Sequence, residues 1–189
     1  MPVRKKPSAR LIKASGKKAK QLYGLFNELG EREYGRLKLH LGNSEKALLE
    51  LLQASSIARL KEAASQGDGF ALINKLLDET RNTKFAGTFI QYAGIGRISF
   101  LSNKVGLWNI VEFLKSLNDA KLAGTIIMAP SDEGKVLNFF KATGSGKSAA
   151  FYVKNWGLQK TIEFINETKP NEMPDETRKR LPNFVTAKR

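Results

Sequence analysis

Glycines divide residues 83–169 into short segments, and this division restricts the elements that the second half of the chain can form. Five segments alternate between apolar and polar residues or are apolar throughout, which is typical of strands; they are GTFIQYAG, RISFLSN, LAGTIIMAP, KVLNFFKA and SAAFYVKN. Two others have apolar residues at helical spacing; they are VGLWNIVEFLKSLND and GLQKTIEFINET. The sequence therefore predicts an α+β domain over residues 83–169, with a mainly antiparallel sheet and two helices.

The residues before this domain have a helical pattern. Apolar side chains recur on one stripe from Leu11 to Leu29, and Gly30 is a suitable helix end. Asn43-Ser44 and Asp68 are suitable N-caps for two further helices. We therefore expect a helical domain over residues 11–82, which makes the predicted fold class α+β with an N-terminal helical domain.

Both ends of the chain have the composition of extended segments. Residues 1–10 combine two prolines with a basic cluster, so we expect a basic disordered arm. Residues 170–189 contain three prolines and show little apolar periodicity, so we expect an extended C-terminal tail.

A weak internal similarity occurs within the predicted α+β domain. Residues 84–90 resemble residues 121–127 at an offset of 37, and residues 106–114 resemble 157–165 at an offset of 51. Two interpretations remain open. Either the domain contains two repeated sheet–helix units, each with two strands and one helix, or glycine and apolar positions coincide by chance.

The chain carries a large excess of positive charge, and the excess is unevenly distributed. The formal net charge is +14 and the sequence pI is about 10.0. Residues 1–22 have eight lysines and arginines and no acid, whereas residues 23–80 have seven basic and nine acidic side chains. Residues 81–160 again have eleven basic and four acidic side chains. Because polyanions release counterions when they bind such surfaces, this distribution indicates a nucleic-acid partner.

The segment GSGKS at residues 144–148 resembles part of the phosphate-binding loop of ATPases, but the rest of that motif is missing. Lys141 occupies the position where the motif has its first glycine, and the following residues have a strand pattern where the motif requires a helix. We therefore expect a hairpin tip that presents Lys141 and Lys147. An enzyme that uses Lys147 on phosphates is the least favoured function.

Other catalytic chemistry has few candidate residues. The sequence has no cysteine and a single histidine, His40, with no metal-ligating residue at helical spacing from it. The serines and threonines of the second half have no nearby histidine to activate them. The sequence therefore predicts no catalytic residue, no metal site, no cofactor and no enzymatic activity.

Basic and aromatic residues alternate on the predicted strands, where one sheet face could stack bases and neutralise phosphates. Together with the N-terminal arm they form the predicted nucleic-acid-binding residues: Arg4, Lys5, Lys6, Arg10, Lys13, Lys17, Lys18, Arg97, Lys104, Lys141, Lys147, Tyr152, Lys154 and Trp156.

The sequence thus favours a non-enzymatic, largely sequence-independent DNA- or RNA-binding protein that acts through a basic arm and a basic, aromatic sheet face. The alternative is a structural or assembly protein, such as a viral or phage-like component, whose arms contact neighbouring subunits or a packaged genome. We expect a homo-oligomer or an assembly partner bound through the helical domain, and no membrane partner. We expect a cytoplasmic location, with a nuclear or virion-associated location as the alternatives.

Overall fold

The structure is a computed structural model that describes residues 16–169 and 172–182. Over these residues the chain forms helices and no strand, so the prediction of an α+β fold with an antiparallel sheet is wrong. The helices are α1 (Gly16–His40), α2 (Glu45–Ser65), α3 (Gly69–Thr80), α4 (Thr83–Ala93), α5 (Ile95–Val105), α6 (Leu107–Leu117), α7 (Ala120–Met128), α8 (Glu133–Thr143), α9 (Gly146–Glu167) and α10 (Pro174–Arg180).

Each of the five segments with a strand pattern lies in a helix: α4, α5, α7, α8 and the first part of α9. The error has a physical cause. Helices such as α4 and α8 have only 11 residues, and most of their apolar side chains are buried. A short buried helix and a short buried strand have similar apolar runs, so periodicity alone does not separate them. The glycines between the segments connect helices and do not form hairpin turns.

Two of the helical predictions agree with the structure, and two agree only in part. Ser44 is the N-cap of α2, and its hydroxyl accepts a hydrogen bond from the Ala47 amide at 3.2 Å. The segment that contains Leu107–Leu117 is helix α6. Gly30 interrupts α1 with φ 79° and ψ 165°, but the helix resumes after it and continues to His40. Asp68 precedes α3 without a capping hydrogen bond from its side chain.

At the C-terminus, the structure places α10 inside the segment for which we expected an extended tail. Pro174 occupies the first helical position, where its missing N–H is not needed. The Arg178 guanidinium donates from Nε to the Ala142 carbonyl at 2.9 Å and so attaches α10 to the last turn of α8. The expected arm at residues 1–10 lies outside the described residues.

Four helices begin after the same kind of connection, which we call a capped corner. A residue with left-handed backbone is followed by an extended N-cap residue, whose side chain accepts a hydrogen bond from the amide three positions later. The four corners are Asn43-Ser44 before α2, Arg81-Asn82 before α4, Asn118-Asp119 before α7 and Gly144-Ser145 before α9.

A second kind of connection, which we call a direct joint, uses a single residue with φ between 67° and 86° and ψ between 139° and 173°. Four of the five direct joints are glycines, and the exception is Ser56. This backbone region is open to glycine and costly for other residues. The direct joints are Gly30, Ser56, Gly94, Gly106 and Gly157.

The two connections recur along the chain with related spacings. Successive N-caps lie at residues 44, 82, 119 and 145, and a direct joint follows twelve residues after three of them, at residues 56, 94 and 157. The similarity at an offset of 37 therefore relates α4 to α7, two helices that follow capped corners. The similarity at an offset of 51 relates two direct joints, Gly106 and Gly157. The expected strand–strand–helix unit is wrong, because the elements at these offsets are helices.

The chain divides into two compact units, Met1–Ser99 and Phe100–Arg189. In the first unit α2 packs against α4, and Gly87 allows this close contact because a Cβ atom there would lie 2.6 Å from the Ala54 Cβ. In the second unit α6 packs against α9 at Gly146, where a Cβ atom would overlap the Asn109 carbonyl oxygen. Each unit has its own apolar core of buried leucine, isoleucine and phenylalanine side chains.

We predict that Gly146→Ala destabilises the second unit by about 1–3 kcal/mol, the usual cost of overpacking, because the added methyl group meets the α6 backbone. The matched control is Gly24→Ala, since Gly24 is a helical residue with open space around its Cβ position. The control should increase the free energy of unfolding by about 0.5–1 kcal/mol. Urea unfolding followed by circular dichroism measures both. Equal effects of the two substitutions would contradict the packing of α6 on α9.

Tyr34 is fully buried in the first unit, where its ring contacts Phe26 edge-on at a centroid distance of 5.5 Å. Its hydroxyl has no hydrogen-bond partner among the described residues. Burial, together with the nearby Glu45 carboxylate, raises the pKa of Tyr34 from 10.0 to about 12. The phenolate is therefore disfavoured in the folded protein.

We predict that Tyr34 makes the first unit sensitive to alkaline pH. Its contribution to stability is fully present below pH 10 and is lost as the pH rises towards 12, because the unfolded chain ionises first. The loss should reach about 2–3 kcal/mol, and Tyr34→Phe should remove it without lowering stability at neutral pH. Unfolding measured between pH 9 and 12 tests this. Tyr23→Phe, at an exposed tyrosine, should behave like the original protein.

Candidate nucleic-acid interface

Helix α9 carries four of the predicted binding residues, and its sequence determines which side faces outward. Gly146, Ala149, Ala150 and Val153 are buried, and their i, i+3, i+4, i+7 spacing places them on one helical face. Because this face packs against α6 and α8, the opposite side of α9 is exposed to solvent.

The exposed side of α9 combines charge with an aromatic ring. Lys147, Phe151 and Lys154 follow the i, i+4, i+7 spacing of one helical face, and we call this set the α9 face. All three are exposed, and the Phe151 side chain retains 39% of its accessible surface. Residues 146–160 contain three lysines and no acidic residue. The α9 face therefore presents an aromatic surface between two positive charges.

A series of ring contacts connects the α9 face to the core of the second unit. The centroids of Phe151 and Tyr152 are 5.9 Å apart, those of Tyr152 and Trp156 are 5.3 Å apart, and those of Trp156 and Phe164 are 5.0 Å apart. Phe164 in turn contacts the buried Phe139 at 6.3 Å. These contacts restrict the aromatic side chains to a few orientations, so the exposed ring is held by packed neighbours.

The structure changes the predicted geometry of this surface. On a strand, Tyr152 and Lys154 would share a face and Phe151 would point away. On the helix, Phe151 lies with Lys147 and Lys154, whereas Tyr152 and Trp156 are half-buried beside them. The predicted sheet face is therefore wrong, and Phe151 was missing from the predicted binding residues. Its i+4 spacing from Lys147 is the sequence signal that could have identified it.

The other predicted binding residues are distributed over several elements. Lys17 and Lys18 are exposed in the first turn of α1, and Lys141 is exposed in the last turn of α8. On α5, Arg97 is half-buried and Lys104 is exposed. The remaining five, Arg4, Lys5, Lys6, Arg10 and Lys13, lie outside the described residues. Among the described residues, α9 carries the largest set of predicted residues on a single helix.

GSGKS is the start of α9 and not a hairpin tip. Gly144 has the left-handed backbone of a capped corner, and Gly146 contacts α6. The amides of the first turn already have partners: Gly146 donates to Asn109 Oδ1 at 3.2 Å, Lys147 to Glu112 Oε2 at 3.0 Å and Ser148 to Ser145 Oγ at 3.1 Å. The Glu112 carboxylate already accepts from one of these amides, and a helix, not a strand, precedes GSGKS. The segment therefore lacks both the strand and the open amides of a phosphate-binding loop.

Each capped corner is followed by a lysine at the second helical position. These lysines are exposed, and they are Lys46 in α2, Lys84 in α4, Lys121 in α7 and Lys147 in α9. A cation in the first turn of a helix is unfavourable, because the helix dipole places partial positive charge there. The recurrence of lysine at this position therefore does not stabilise the helices.

Several other cations have structural partners. Arg59 donates from Nε to the Gln91 carbonyl at 3.1 Å and pairs with Glu62 at 2.7 Å. Arg180 pairs with Glu172 at 3.2 Å and lies 5.2 Å from the centre of the Phe164 ring. Lys38, which is nearly buried, pairs with Glu45 at 3.6 Å. Part of the positive charge thus serves the fold, and this includes the corner lysine Lys46, which lies 3.9 Å from the Glu50 carboxylate.

Among residues 16–169 and 172–182, no group of three or more histidine, cysteine or acidic side chains is arranged to hold a metal ion. In the same part of the chain, no helix has both the length and the apolar character of a membrane span.

Comparison with protein-family models, with curated proteins and with solved structures finds no match.

Proposed function

We propose that the protein binds nucleic acid without catalysis, largely independently of sequence, and that the α9 face is its principal contact in the second unit. The observation that carries this proposal is the placement of an exposed ring between two lysines on one helical face, in a stretch with no acidic residue. Lysines neutralise phosphates and an exposed ring stacks on a base. Neither contact requires a particular base, so the expected binding has little sequence dependence.

The corner lysines support the same proposal. In each unit two of them follow corners of packed helices: Lys46 and Lys84 on α2 and α4, and Lys121 and Lys147 on α7 and α9. These positions are unfavourable for a cation in the isolated helix, and contact with an anionic partner would offset that cost. Exposed Lys17, Lys18 and Lys20 at the start of α1 add charge that polyanions attract.

We predict that reversing both charges of the α9 face, Lys147→Glu with Lys154→Glu, lowers the affinity for nucleic acid at least about tenfold, because like-charge contacts cost of the order of kcal/mol. Fluorescence anisotropy with labelled single strands and duplexes of several sequences measures this. The substitutions should leave α9 folded, since Lys154 is exposed and an acid at position 147, in the first turn of the helix, is favourable.

The matched control reverses two exposed lysines elsewhere, Lys75→Glu on α3 with Lys179→Glu on α10. It changes the net charge by the same amount, so a much smaller loss of affinity would assign the effect to the α9 face. Equal losses in the two variants would show that only the net charge matters. In that case the α9 face would not be the contact.

Assembly is the second candidate function, and exposed apolar side chains favour it. Trp108 on α6 is 62% exposed, and Leu39 on α1 is 68% exposed. Such side chains are common in interfaces between proteins.

Light scattering of nucleic-acid-free protein separates the two functions. Large particles that disappear with Trp108→Ala favour assembly. A species of constant small size favours the nucleic-acid proposal.

A further inference from the structure

The first unit contains a groove of about 650 Å³ between α2 and α4. This volume is within the usual range of about 300–1,000 Å³ for pockets that hold small organic groups. Gln53 and Glu50 of α2 line one side, and Lys84, Gln91 and Tyr92 of α4 line the other. Most of the lining residues have polar side chains, but about half of the lining surface is apolar, and Tyr92 is 37% exposed. The groove therefore suits a polar ligand that also has a flat apolar surface.

The two sides of the groove are equivalent faces of neighbouring helices. α2 and α4 both follow capped corners, and their N-caps lie 38 residues apart. The same offset pairs Gln53 with Gln91 and Ala54 with Tyr92. The tyrosine thus replaces the smaller side chain of the other helix, so the groove has one aromatic wall.

The direct joint at Ser56 provides an independent observation. The equivalent joints are glycines, whereas Ser56 adopts φ 67° and ψ 159°, a region that other residues rarely occupy. Its hydroxyl donates to Gln91 Oε1 at 2.8 Å. Because the carbonyl oxygen of that amide is held by Ser56, its NH₂ group is left as a donor for the groove. The serine thus positions Gln91 at a joint where glycine would suit the backbone better.

The charges of the groove favour an anionic ligand. Glu50 lies near Lys46, with 3.9 Å between the ammonium and the carboxylate, so part of its charge is offset. Lys84 is exposed at the start of α4, eight residues and about 12 Å of helix from Tyr92. The groove therefore has a cation at one end and an aromatic ring with an amide donor at the other.

We propose that this groove binds one unpaired nucleotide of a single-stranded nucleic acid, with its phosphate at Lys84, its base against Tyr92 and a base acceptor at the Gln91 amide. A base in a duplex is stacked on both sides, so a groove of this kind selects single strands. The inference rests on the proposed function, since it assigns a strand type and a second contact to the same partner. One base-facing amide allows only a modest base preference, which is compatible with largely sequence-independent binding.

The first experiment is ultraviolet crosslinking of the full chain to a single strand that contains 5-bromouracil, followed by mass spectrometry of the peptides. A crosslink at Tyr92 is the expected result. Crosslinks confined to α9 would overturn the groove proposal and leave the proposed function intact. Absence of any crosslink, together with absence of binding, would overturn both. An extended peptide of neutral charge that competes for the groove better than the single strand would also overturn the proposal.

The second experiment compares Tyr92→Ala with Tyr23→Ala, whose side chain is 38% exposed on α1 of the same unit. Loss of one stacked base should lower the affinity for single strands roughly five- to hundredfold in Tyr92→Ala and leave duplex affinity unchanged. Tyr23→Ala should leave both affinities unchanged. Equal single-strand affinities of the two variants would contradict the role of Tyr92.

The third experiment tests Ser56 as a positioning residue. Ser56→Gly suits the backbone, so the variant should be at least as stable as the original protein. It should reduce any preference among the four homopolymers, which we expect to be about fivefold in the original protein. A base preference that persists unchanged in Ser56→Gly would show that Ser56 does not orient Gln91 for binding.

Discussion

The fold depends on backbone connections that let helices of about three turns follow one another with few intervening residues. Capped corners use a left-handed residue and a side-chain cap, and direct joints use one residue with positive φ. Glycine adopts such conformations at least cost, which explains Gly94, Gly106, Gly144 and Gly157 at the connections of the second half. Close packing adds a second requirement at Gly87 and Gly146, where helices approach closely enough to exclude a side chain.

These connections also position the charged surface. A capped corner places the second residue of the next helix in solvent, and at all four corners this residue is lysine. On α9 the corner lysine is followed at i+4 and i+7 by Phe151 and Lys154, because the buried face of the helix uses the intervening positions. On α4 the same geometry lines one side of the groove. The proposed contacts in the two units thus share one feature: each includes the lysine at the second position of a helix that follows a capped corner.

The sequence correctly predicted some of the helices and their caps, but its apolar patterns were wrongly assigned to strands elsewhere. It predicted the N-cap Ser44 and helix α6, because polar caps and a long apolar stripe are strong local signals. It assigned strands to α4, α7 and α8, since short apolar runs bounded by glycine resemble buried strands. Asn82 and Asp119 stood at the correct capping positions, but their role becomes evident only when the following segment is treated as a helix. The Ser56–Gln91 contact joins residues 35 positions apart and depends on tertiary packing.

The central claim is that the lysines of the α9 face neutralise phosphates, and the salt dependence of binding tests it most directly. The logarithm of the binding constant for a single strand falls with the logarithm of salt concentration by about 0.7 per phosphate neutralised. Neutralising both lysines, Lys147→Gln with Lys154→Gln, should therefore make this slope shallower by about 1.4, whereas Lys75→Gln with Lys179→Gln should leave it unchanged. Identical slopes for the original protein and the α9 variant would contradict the account.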